Sequence, residues 1–127
     1  MTPDPVSPLL PDDDQQAAYD EIGYVLLPGL IAPETADALH REVMGIMEQV
    51  GLGQTSLRQT GEYLAGGAVD ALVNSPNLRA VASRLMGGDA RLYLPFTAVK
   101  SAGGGGAFHY HQDNQYTRFD GPGINLW

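Results

Sequence analysis

Behind Pro33, the apolar residues Ala36, Leu39, Val43, Ile46, Met47 and Val50 recur at three- and four-residue intervals and stop at Gly51. This spacing predicts an amphipathic helix with one face turned inward, because proline suits the first helical position and glycine follows the last. A second helix is predicted from about Asn77 to Met86, with Ser75 as its cap, Pro76 in the first turn and Gly87-Gly88 after its end. A shorter one spans Gln15 to Glu21. Asp12, Asp13 and Asp14 precede it, placing carboxylates at its positive end, and Gly23 stops it.

Other apolar runs have strand character. Tyr24-Val25-Leu26-Leu27, closed by Pro28-Gly29, predicts a strand ending in a turn. Arg91 to Lys100 carries Leu92, Tyr93, Leu94, Phe96, Thr97 and Val99, and Pro95 within it points to an edge position or a bulge. Ile124 to Trp127 is also strand-like. Residues 52–67 are polar and glycine-containing and predict a loop. Gly103 to Gly106 lacks a following Gly-Lys-Ser/Thr and opens no helical pattern, so it reads as a flexible β connection rather than a phosphate cradle. Pro3, Pro5, Pro8 and Pro11 prevent helix or central strand at the start of the chain. The organisation expected is a proline-rich disordered tail over 1–13 and one domain over 14–127.

Composition narrows the choice of chemistry. Hydrophobic residues make up 43% of the 127 and charged residues 17%, values of a globular chain with one core. Fifteen acidic residues against seven Lys and Arg give a net charge of −8, which would repel a phosphate backbone, so nucleic acid is not an expected partner. Cysteine is absent, which removes disulfides, thiolate metal sites and a thiol nucleophile, and any metal must bind through histidine and carboxylate. No apolar run approaches the roughly 18 residues of a membrane span, and the first residues lack a signal peptide's basic and apolar regions. A cytoplasmic protein without a membrane partner is the expectation.

Two of the three histidines fall in Phe108-His109-Tyr110-His111-Gln112-Asp113-Asn114-Gln115-Tyr116. On a strand, residues two apart share a face about 6.6 Å apart, so His111 and Asp113 could lean onto one cation. His109 shares their parity, but it lies about 13 Å of strand from Asp113, while metal bonds are only about 2.0–2.2 Å long. Two ligands from this segment and one from elsewhere is the more economical arrangement. An imidazole, a carboxylate and one further histidine form the facial triad suited to iron(II), with positions left open for oxygen and a co-substrate. His40, the remaining histidine, lies near the border of the long helix's apolar face and reads as a structural or surface residue.

The apolar strand, the glycine break, Ala107-Phe108, the string His-Gln-Asp-Asn-Gln-Tyr and the closing Ile124-Asn125-Leu126-Trp127 together resemble the phytanoyl-CoA dioxygenase family, over Tyr19 to Trp127. Glu21-Ile22-Gly23-Tyr24-Val25-Leu26-Leu27-Pro28-Gly29-Leu30 is similar to a phrase near the start of its members. The resemblance implies an α+β fold, with N-terminal helices packed on part of a double-stranded β-helix of the jelly-roll or cupin kind. It makes His111 and Asp113 two iron(II) ligands and Trp127 a residue lining the 2-oxoglutarate pocket, and it assigns no further catalytic residue. The family's second histidine ligand and its 2-oxoglutarate-binding arginine have no counterpart here, so the domain is expected to be an N-terminal part, incomplete and inactive alone.

The first functional expectation is therefore an iron(II)- and 2-oxoglutarate-dependent dioxygenase that uses dioxygen to hydroxylate a small organic molecule. The second is a non-catalytic fragment or binding protein that retains half the fold. A third is an unrelated metal-binding β-barrel using His109 and His111. Neither the substrate nor the oligomeric state follows from the residues.

Overall fold

The computed structural model describes residues 3–50, 56–58, 65–93, 95–98, 109–113, 115, 118 and 120–127. Four helices are named here: α1 (Asp13–Ile22), α2 (Pro33–Val50), α3 (Ala68–Val73) and α4 (Pro76–Met86). Two short strands, β1 (Ser56–Arg58) and β2 (Phe96–Ala98), pair antiparallel with Leu57 opposite Thr97.

The predicted helices form where their end signals stand. Asp12 accepts the backbone N–H of Gln15 at 2.8 Å, and the Gln15 side chain accepts that of Asp12 at 3.0 Å, a reciprocal capping box. Gly23 ends α1 at φ +91°, a conformation that glycine adopts without a Cβ penalty. In α2, Met47 is fully buried and Ile46 nearly so, with Leu39 and Val43 half-buried beside them, whereas Ala36 is exposed. This face packs on Val69 and Val73 of α3.

Helix α3 was not legible in the sequence. Its N-cap, Gly67, supplies no side-chain hydrogen bond, and the first backbone N–H groups are taken instead by the Glu42 carboxylate, which accepts from Ala68 and from Val69. A cap delivered from a different helix leaves no local pattern to read. Gly67 has a packing reason as well, because a Cβ there would run into that carboxylate.

The α+β expectation built on a double-stranded β-helix is corrected: the described residues are helix-rich, and their strands are one antiparallel pair of three-residue segments plus an isolated bridge between Val6 and Ile31. Residues 24–27, 91–93 and 124–127 carry no strand, although each is rich in β-formers. Strand propensity reflects packing on a pleated, half-buried surface; Leu26 is 76% exposed and has no such surface. The Pro28-Gly29 turn does form, with Gly29 at φ +78° and the Leu30 N–H donating to the Leu27 carbonyl at 3.3 Å. Of the other predicted features, the glycine connection over 103–106, the approach through 107–108 and most of the 52–67 loop lie outside the described residues.

The proline-rich start of the chain also differs from its expectation. It is extended, as four prolines require, but it is not outside the fold: Val6 is only 2% exposed and Pro11 is buried. Ser7 donates its N–H to the Leu30 carbonyl at 2.9 Å and its hydroxyl to the Gly29 carbonyl at 3.0 Å. Asn77 donates its side-chain amide to the Val6 carbonyl at 2.7 Å. The boundary at residue 13 falls inside the packed structure, since Asp13 begins α1.

Candidate metal-binding pair

Residues 109–113 do not lie on a strand. His109 to Gln112 are irregular, and Asp113 enters a turn in which the Gln115 N–H donates to the Gln112 carbonyl at 3.1 Å. The expected strand face is thus replaced by a turn, and the turn brings the two side chains closer than a strand would. His111 Nε2 stands 3.3 Å from Asp113 Oδ1. Two donors bound cis on one ion at about 2.0–2.2 Å are themselves about 3 Å apart, so this separation suits a shared first-row cation.

The partners of each group fix its chemistry. His111 Nδ1 lies 2.7 Å from the His109 carbonyl oxygen, which can only accept, so Nδ1 carries the hydrogen. Nε2 is then the ring nitrogen nearest the carboxylate. Asp113 Oδ2 accepts from the side-chain amide of Asn125, which orients the carboxylate. A carbonyl on the far ring nitrogen and an amide on the far carboxylate oxygen are the supporting bonds that metal ligands commonly have. The His111 side chain is 30% exposed and that of Asp113 56%, so an ion could reach the pair from solvent.

Among the described residues, no group of three or more His, Cys, Asp or Glu side chains is placed to hold a metal ion. His109 contributes its backbone carbonyl to the pair. His40 is exposed on α2, in keeping with a surface role. The Trp127 ring is fully exposed, and Asn125, two positions earlier, is the residue of that segment that meets Asp113. Sequence reasoning missed Asn125 because nothing in the spacing of residues twelve apart announces the bond.

Among the described residues, no helix is long and apolar enough to cross a membrane. No family model matches the chain, and no curated protein or solved structure matches it.

Proposed function

We propose that His111 and Asp113 bind a divalent first-row cation, iron(II) on the resemblance to the phytanoyl-CoA dioxygenase family. On that reading the chain takes part in 2-oxoglutarate-dependent oxidation of a small organic molecule by dioxygen. The observation that carries the metal reading is the approach of His111 Nε2 to Asp113 Oδ1 at 3.3 Å, with Nδ1 turned to the His109 carbonyl. Neutral imidazole and carboxylate are the donors that non-haem iron(II) takes, and the bound metal would supply the redox chemistry with oxygen. The chain's own residues hold the donors: the His109 carbonyl fixes the tautomer, and Asn125 fixes the carboxylate.

A second reading, a metal- or ligand-binding protein without turnover, is favoured by the lack of a third His, Asp or Glu beside the pair among the described residues. One experiment separates the two. The purified chain is supplied with iron(II), ascorbate and 2-oxoglutarate under air, and succinate is measured beside metal affinity. Succinate formation lost in His111→Ala and Asp113→Ala supports the oxygenase; metal binding lost in the same variants without succinate supports the binding protein. Metal affinity unaffected by either substitution overturns both.

A further inference from the structure

The start of the chain makes a set of contacts that the metal pair does not use. Helix α4 begins with Ser75 as N-cap and Pro76 at its first position, where no N–H is available. The Leu78 N–H is accepted by Ser75 Oγ at 3.0 Å, and the Asn77 N–H by Asp4 Oδ2 at 3.2 Å. Asp4 Oδ1 also accepts the Ser75 hydroxyl at 2.6 Å and the Val6 N–H at 3.0 Å. A carboxylate from the far end of the sequence therefore completes the cap of this helix, at the end where the backbone dipole favours negative charge. Ser75 is 2% exposed beneath it.

We propose that residues 4–7 form a releasable latch closed on α4, with the Asp4 carboxylate as its catch and the seat of Val6 as the site it covers. Among the described residues the segment is held by the catch, the Asn77 bond to the Val6 carbonyl, the buried Val6 side chain with its bridge to Ile31, and the two bonds from Ser7 to Gly29 and Leu30. The prolines at 8 and 11 follow it. Beside it, Leu9, Leu10, Leu27 and Leu30, with Asp12 and Gln15, line an open recess of about 240 Å³.

Among the described residues, the groups bonded to Asp4 are neutral: the Ser75 hydroxyl and the Asn77 N–H, and the Val6 N–H from the segment itself. The arginines of α4 are engaged elsewhere, Arg79 with Asp89 and Arg84 with Asp13. Some desolvation pushes the exposed Asp4 carboxyl up, but the bonds from Ser75, Val6 and Asn77 outweigh it and hold the carboxyl below its ordinary value. A carboxyl lowered on folding stabilises the closed form fully above its unfolded value, about 3.9, and loses that contribution as pH falls through the lower folded value. Acid and Asp4→Asn should therefore act alike.

Amide hydrogen exchange on the full chain tests this. In Asp4→Asn, exchange at Ser7 and Asn77 should rise by on the order of tenfold or more, the size expected for losing hydrogen bonds to a charged group. Amides within α2 around Met47 should stay as protected as before. In the unaltered chain, the Ser7 amide should lose protection in acid before the α2 amides do, and Asp4→Asn should abolish that separate acid step. Unchanged exchange at Ser7 in the variant overturns the proposal, and so does an equal loss at Ser7 and in α2, which would make the segment an inseparable part of the core.

Discussion

Asp4 and Asp113 are the same chemical group in opposite settings. Asp4 is bound by Ser75 and Asn77, 71 and 73 residues away, and its oxygens face hydroxyl and amide donors. Asp113 is held by Asn125, twelve residues away, and stands 3.3 Å from a histidine nitrogen. Donors already satisfy the charge of the first carboxylate, so it works as an anchor. The second stands beside an imidazole nitrogen, the pair of donors that the proposed cation would share. Bonds across more than seventy residues hold the first carboxylate, and a bond across twelve holds the second.

The largest expected effect belongs to the buried core. Met47→Ala removes a fully buried side chain from the α2–α3 cluster and should cost about 2–5 kcal/mol in chemical denaturation. Ser75→Ala comes next. It removes the α4 cap and one donor to Asp4, and should cost about 1–2 kcal/mol, with increased exchange at Leu78. Glu42→Ala, which deprives α3 of its cap, should cost about 1 kcal/mol and lower helix content by circular dichroism in proportion to that short element. Asp113→Asn should be the mildest, within about 0.5 kcal/mol of the unaltered chain, because the group is exposed and its bonds are local. Equal costs for Ser75→Ala and Asp113→Asn would erase the distinction.

The parts of the fold that were legible in the sequence have a local cause. Asp12 with Gln15, Pro33 before a 3.6-residue apolar period, and Ser75-Pro76 with Gly87 each place both halves of an interaction within a few positions. The failures have distant or missing causes. The cap of α3 comes from Glu42, and the order of the start of the chain comes from residues beyond 70, neither of which a window can see. Tyr24–Leu27 has the composition of a strand and lacks a neighbour to pair with among the described residues. At the site, His111 and Asp113 were legible as a pair, but on the wrong scaffold. A turn, not a strand face, brings them together, and Asn125 and the His109 carbonyl were not legible at all.

The central claim is that this pair, and not the chain's many other carboxylates, is where a divalent cation settles. With a net charge of −8 and Asp12, Asp13 and Asp14 in a row, weak competitors are present. Manganese(II) titrated into the isotopically labelled chain at substoichiometric levels broadens the NMR signals nearest the ion. The account predicts early broadening of His111, Asp113 and the Asn125 side-chain amide, lost in Asp113→Ala and unchanged in His40→Ala. Broadening that begins at Asp12–Asp14 and survives Asp113→Ala would contradict it.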